Sequence, residues 1–166
     1  MPDNAKKPDA KKPTQAQIKR AADVNLVAMK MKRYHNGDMN KVQHFVRVYT
    51  LAKSIGELEK LGEDEQYALE LAAVVQNVEG DRIPVARDIL RSCRIDEDAA
   101  MRVCHMVEND HNYEHISTLE HQILVEARMI VDFKEKGLST HDIIKQAEDV
   151  FITNTGKLFL KRAFNI

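Results

Sequence analysis

Apolar residues recur every three or four positions along most of the chain, the period of an α-helix with one buried face. The first such segment follows Thr14, a residue type that caps helix N-termini, and it runs to about Arg33. Asn25 interrupts its predicted buried side. That side consists of Ile18, Ala21, Ala22, Ala28 and Met29.

A turn and two further helices are predicted next. Asn36-Gly37-Asp38 predicts the turn. Leu61-Gly62 ends the second helix, and Glu63-Asp64-Glu65 begins the third with acidic groups at the positive end of the helix dipole. The second helix has apolar residues at Val42, Phe45, Val46, Tyr49, Ala52 and Ile55. The third is apolar on more than one side, as expected of a central, buried helix; its apolar residues are Leu69, Leu71, Ala72, Val74 and Val75.

The second half of the chain continues the helical pattern. Ile83-Pro84 opens a short helix that runs to about Cys93, and Asp96 begins another. The polar stretch from Asn109 to Thr118 predicts a loop. Further helices are predicted from Leu119 to Lys136, after Ser139 or Thr140, and from Thr155 to about Phe164. Because no window alternates with period two, we expect an all-α fold, a compact bundle of about six to eight helices.

The length of 166 residues suits one domain, which we place at residues 14–166. Residues 1–13 contain three of the four prolines, four lysines and almost nothing apolar. Such a composition predicts a disordered tail.

Charge and composition restrict the partners. The 25 basic and 26 acidic residues nearly balance, whereas binding to nucleic acid or to a membrane surface usually requires a basic excess, so we expect neither partner. The chain has no signal-like or membrane-spanning apolar run, which predicts a cytoplasmic protein. Cys93 and Cys104 form no CxxC pair and are interpreted as reduced core thiols.

The seven histidines form one local motif that is associated with metal binding. His111-Asn112-Tyr113-Glu114-His115 matches the HxxEH pattern of inverted zincins. That pattern needs a helix to place both histidines on one face, and this stretch is predicted to be a polar loop. We therefore interpret these histidines as surface or core residues.

Several segments, in order and spacing, resemble HD-domain phosphohydrolases over about residues 30–166. They are Tyr34-His35-Asn36-Gly37-Asp38, Val42 to Val48, Leu69 to Val75, Arg102-Val103-Cys104, Gln122 to Ala127 and Val150 to Gly156. The resemblance implies an all-helical fold with a divalent metal held by an early histidine, a His-Asp pair after the central helix and a late aspartate.

The metal ligands implied by this resemblance are mostly missing. His44 matches the early histidine, but the central pair falls on Gln76 and Asn77, and the late aspartate falls on Arg128. A neutral amide is a weak metal ligand, and a guanidinium repels a cation. We therefore expect no metal, no other cofactor and no catalytic residue at these positions.

Two interpretations of the replaced positions stay open. In one, Gln76 and Asn77 make hydrogen bonds inside the core, and Arg128 pairs with Asp132, Glu108 or Asp110. In the other, Arg128 supplies the positive charge of the lost metal and binds a small anion such as a phosphate or carboxylate. The predicted anion-binding residues are His44, Arg47, Arg87, His111 and Arg128.

Three functions follow from these interpretations. The preferred one is a degenerate HD-type domain that binds a ligand or regulates without turnover. The first alternative is a metal-dependent phosphohydrolase acting on a nucleotide or other phosphate ester, with divalent metal held by a rearranged site. The second alternative is a homodimeric interaction scaffold. Ligands for a rearranged metal site would come from His105, Asp110, His111, His115 and Glu126.

Overall fold

The structure, a computed structural model, describes residues 11–166, and this part of the chain forms eight α-helices and no strand. The predicted tail therefore lies mostly outside the described residues, and its last three residues have no regular structure. The helices are α1 (Gln15–Tyr34), α2 (Met39–Leu58), α3 (Glu63–Val75), α4 (Arg82–Ser92), α5 (Glu97–Glu108), α6 (Leu119–Lys136), α7 (Thr140–Ala147) and α8 (Asn154–Phe164). The predicted all-α fold is confirmed.

Short polar side chains set most of the helix starts. Thr14 forms a capping box with Gln17, and the Asp38 carboxylate accepts hydrogen bonds from the backbone N–H groups of Asn40 and Lys41. Ser139 caps α7 in the same manner, and Gly137 ends α6 with a φ of 60°, which a residue without Cβ adopts without strain. The cap predicted at Thr14 is confirmed, and of the two candidates Ser139 and Thr140 the cap of α7 is Ser139.

Helix α3 lies at the centre of the bundle, as predicted. It packs against α1, α2, α5 and α6, and all its residues from Tyr67 to Val75 are buried except Glu70. Helix α6 is the second central element, because every residue from Glu120 to Val131 is buried. Helices α7 and α8 cover the other side of α6 through a separate apolar cluster that includes Met129, Ile143 and Leu160.

The predicted buried side of α1 is wrong. Ile18, Ala21, Ala22 and Met29 are exposed and Ala28 is half-buried, whereas the buried residues are Val24, Val27 and Met31. The helix carries apolar residues on two sides, and contacts with α3 select the second one. There the Tyr67 hydroxyl donates to Asp23 at 2.8 Å, and Arg20 pairs with Asp64 at 2.5 Å. In α2, Val46 is likewise exposed and Val48 is buried in its place.

Both cysteines are free and buried, as predicted. Burial raises the pKa of the Cys104 thiol, which keeps it protonated. None of the helices within residues 11–166 combines the length and apolar character needed to cross a bilayer.

Candidate functional site

The positions singled out by the HD resemblance lie on two helices and one connection. His44 lies on α2, Gln76 and Asn77 follow the end of α3, and Arg128 lies in the middle of α6. The loop after α5 brings Asp110 to the same region, because the Asp110 carbonyl accepts a hydrogen bond from Arg128. The site is therefore built from parts of the chain that are far apart in sequence.

Arg128 is the buried cation of this region, with only 4% of its side chain exposed. Its guanidinium donates to Asp132 Oδ2 at 2.6 Å, to the Asp110 carbonyl at 2.9 Å and to the Tyr113 hydroxyl at 3.2 Å. Two of the three predicted partners of Arg128 are bonded to it, Asp132 through its carboxylate and Asp110 through its carbonyl. Within residues 11–166, no hydrogen bond joins Arg128 to the third predicted partner, Glu108. The Arg128 Nε atom is buried without an acceptor in this part of the chain. Arg128 is thus held in place by the protein itself.

A second arginine, Arg82 at the start of α4, binds Asp110 and the end of α3. It donates to both carboxylate oxygens of Asp110, at 3.3 and 3.0 Å, and to the Gln76 carbonyl at 2.7 Å. The Asp110 side chain is almost fully buried, so this two-point bond keeps a carboxylate paired where water cannot reach it. Arg82 was not predicted, because nothing in its local sequence distinguishes it from the other arginines.

The two amides at the positions where the resemblance implies a His-Asp pair, Gln76 and Asn77, differ in their contacts. Asn77 donates through Nδ2 to the Lys41 carbonyl at 2.9 Å, and its Oδ1 lies 3.1 Å from Nε2 of the buried His35, which can donate to it. The His35 ring stacks on Phe45 with ring centroids 6.1 Å apart. Gln76 is buried, and its Nε2 has no acceptor in the described chain. The Asn77 contacts tie the end of α3 to α1 and α2, as the first interpretation predicts for that residue. The first interpretation is wrong for Gln76, whose side chain makes no hydrogen bond in the described chain.

His44 has a different set of partners. Its Nδ1 lies 2.9 Å from Glu135 Oε2, and Arg47 approaches the other Glu135 oxygen at 3.6 Å. Potential ligand atoms of His44, Asp132 and Glu135 lie within 4.8 Å of one another, and within residues 11–166 no other group of three His, Cys, Asp or Glu residues does so. We call these three residues the His44 trio. Glu135 was not predicted, and Asp132 was predicted only as a partner of Arg128. The available signal was that Asp132 and Glu135 are three positions apart on α6, a spacing that places two side chains on the same face of a helix.

Beside the His44 trio, an open cleft of about 530 Å³ lies between α2, α6 and α8. Leu51, Ile130 and Val131 line its apolar part, while Arg47 and Lys134 are exposed cations at its edge. This volume is within the usual range of small-ligand sites.

Other predicted residues lie apart from this region. Arg87 is exposed on α4, where its charge acts on the Cys104 thiol, and no hydrogen bond or ion pair connects it to His44 or Arg128 in the described chain. His105 and His115 line a separate open cavity of about 470 Å³. Tyr113–His115 forms a short 3₁₀ turn, so the HxxEH motif is not on an α-helix, as the loop prediction requires.

His111 lies between the two charge pairs. Its Nε2 is 3.6 Å from Asp110 Oδ1. Burial and the positive charge of Arg128 lower the pKa of His111, although the Asp110 carboxylate acts in the opposite direction. This shift favours the neutral form of the ring.

Glu126, a residue considered for a rearranged metal site, is fully buried and has other partners. Its carboxylate accepts hydrogen bonds from Gln122 Nε2 (2.8 Å), Ile152 N (2.7 Å), Thr153 N (3.0 Å) and Thr153 Oγ1 (2.5 Å). Three of these donors bind Oε1 and one binds Oε2, so Glu126 joins α6 to the N-terminus of α8.

Comparison of the chain with protein-family models, with curated proteins and with solved structures gives no match. The HD-superfamily resemblance therefore stays a prediction, supported by the motifs between Tyr34 and Gly156.

Proposed function

We propose that the chain is a non-catalytic domain of the HD type that binds a ligand or regulates a partner, and that its own arginines occupy the region where such domains hold a metal. The observation that supports this proposal is that every carboxylate around the site is already paired with an arginine. Arg128 pairs with Asp132 at 2.6 Å, Arg82 with Asp110 at 3.0 Å, and Arg47 with Glu135 at 3.6 Å.

This pairing removes the electrostatic attraction that a divalent cation requires. Three carboxylates and three guanidinium groups together have no net charge. At about 4 Å and an effective dielectric constant of about 20, a dication near one guanidinium is repelled by roughly 8 kcal/mol. Without a bound metal, the region has no means of lowering the pKa of a water molecule for hydrolysis.

The cleft beside the His44 trio supports a ligand-binding function. Lys134 forms no ion pair in the described chain, and Arg47 contacts Glu135, which also lines the cleft, at 3.6 Å. With the apolar part of the cleft, these two exposed cations would suit a small molecule that has an apolar body and one anionic group. Arg128 is too buried to contact such a ligand directly, so the proposed anion contact moves from Arg128 to Arg47.

Binding of small carboxylates and phosphate esters, measured by calorimetry, tests this ligand class. We expect at least one such compound to bind, and Arg47→Glu to weaken it about tenfold. Arg91→Glu, a change at an exposed arginine on α4, is the matched control and should have no effect. Equal binding by the Arg47→Glu variant would exclude the cleft as the site.

The second candidate function is a metal-dependent phosphohydrolase, and the His44 trio is the observation that favours it. One imidazole and two carboxylates are a plausible ligand set for a first-row transition metal. In that case, hydrolysis of a generic phosphate ester should require added metal and disappear in His44→Ala but not in His141→Ala, which changes an exposed histidine on α7. We expect no metal-dependent hydrolysis by the unmodified chain.

The triple variant Gln76→His, Asn77→Asp, Arg128→Asp tests the HD assignment itself. If these positions correspond to the metal ligands of the superfamily, the folded variant should retain manganese that the unmodified chain does not. A folded variant that ignores manganese would show that the assigned positions are wrong, whatever the function of the cleft.

A further inference from the structure

Helix α1 has two apolar sides, and only one of them packs on the bundle. Val24, Val27 and Met31 face α3 and are buried. Ile18, Ala22, Leu26 and Met29 follow at spacings of four, four and three and lie about 180° around the helix from the buried side. We call these four residues the outer stripe. Its three large side chains are 47–49% exposed.

The outer stripe is bordered by positive charge. Between Gln15 and Tyr34, α1 has five basic residues and one acidic residue. The acidic residue, Asp23, is already bonded to Lys19 at 3.0 Å and to the Tyr67 hydroxyl at 2.8 Å. Three basic residues at the C-terminal half of α1 are exposed and have no carboxylate within ion-pair distance in the described chain: Lys30, Lys32 and Arg33.

We propose that the outer stripe is the docking surface for an acidic amphipathic helix of a partner protein. Such a helix would cover the apolar side chains and place its carboxylates opposite the uncompensated cations. Ala22 is the smallest side chain of the outer stripe and lies between Ile18 and Leu26 along it, a position against which a large side chain of the partner helix would pack. The proposal depends on α1 alone and is independent of the function proposed for the cleft.

Charge favours this occupant over a second copy of the chain. Two α1 helices packed on each other would bring ten basic residues together with only two acidic ones, so like charges would oppose the pairing. The composition of the outer stripe also disfavours a lipid surface. It contains no aromatic residue, and Tyr34, on another side of α1, is bonded to Glu79.

The experiment measures binding of the full chain to two helical peptides about as long as α1. Both peptides have leucines at helical spacing; one has glutamates beside them and the other has lysines. The glutamate peptide should bind at least about tenfold more tightly than the lysine peptide, and its binding should weaken as salt is added. Equal affinities, or no binding of either peptide, would overturn the proposal.

Variants locate the surface. Leu26→Glu, at an exposed position where folding is not at risk, should weaken glutamate-peptide binding at least about tenfold, while Leu158→Glu, at an equally exposed leucine on α8, should have no effect. The triple change Lys30→Glu, Lys32→Glu, Arg33→Glu should shift the preference toward the lysine peptide. A preference that does not shift would overturn the assigned charge contacts.

Two further measurements address the other occupants. In sedimentation of the chain alone, we expect no dimer that the Leu26→Glu change dissociates. We also expect the chain to bind vesicles containing phosphatidylserine no more tightly than it binds the glutamate peptide. A dimer held by Leu26 would make the occupant a second copy, and preferential vesicle binding would make it a membrane; either result overturns the proposal.

Discussion

Replacing Arg128 by methionine removes the buried cation and keeps an apolar side chain of similar length. The variant loses the hydrogen bonds to the Asp132 carboxylate, the Asp110 carbonyl and the Tyr113 hydroxyl. Breaking a buried ion pair by removing one partner costs about 3–5 kcal/mol. Because the Asp132 side chain is 19% exposed, water can partly solvate its carboxylate once Arg128 is removed. We therefore expect the free energy of unfolding to fall by about 2–4 kcal/mol.

Urea denaturation followed by far-ultraviolet circular dichroism measures this loss. Arg91→Met is the matched control, because Arg91 and Glu97 form an exposed pair whose loss should cost at most about 1 kcal/mol. The double variant Arg128→Met, Asp132→Leu should recover more than half of the lost stability, since it leaves no unpaired carboxylate. If Arg128→Met costs no more than Arg91→Met, the ion pair does not stabilise the site and the reasoning fails.

Two other variants test the packing of Gly156 on α8 against Glu126 on α6 and the titration of His121 on α6. Gly156→Ala should lower the free energy of unfolding by about 2–3 kcal/mol, because a Cβ there would overlap the Glu126 carboxylate and displace its bonds to Thr153; unchanged urea stability would contradict this role of Glu126. Burial lowers the pKa of His121, whose Nε2 lies 3.2 Å from the Asn109 carbonyl, so the folded chain holds the ring neutral while the unfolded chain protonates it near pH 6.5. This contribution to stability is present above about pH 6.5 and is lost as the pH falls, so stability should decrease from about pH 7.5 to about pH 5.5, and less steeply in His121→Gln. Parallel pH profiles in the two proteins would refute the assignment to His121.

Local features of the sequence predicted the helices well. The ends of α6 and the caps at Thr14 and Ser139 were all correct. These features depend on side chains that act within one helical turn of their own position, so the sequence contains the whole cause. The prediction of which side of α1 is buried was wrong for the opposite reason. Which of two apolar sides is buried depends on α3, and no local pattern contains that information.

The site was predicted in part. The Arg128–Asp132 pair spans one helical turn and was therefore predictable from spacing. The contacts of Arg82 with Asp110, and of His44 with Glu135, join residues that are 28 and 91 positions apart. Only the packing of α2, α4 and α6 brings these charges together, so sequence spacing could not reveal that each carboxylate of the site already has an arginine.

The most direct test of the central claim is the metal content of the purified chain after incubation with manganese, iron, zinc or nickel and desalting. With Asp110, Asp132 and Glu135 each paired with an arginine, we expect no stoichiometric metal in the unmodified chain. One equivalent of metal that survives desalting and is lost in His44→Ala would contradict the account, because it would mean that the His44 trio binds metal despite the neighbouring arginines.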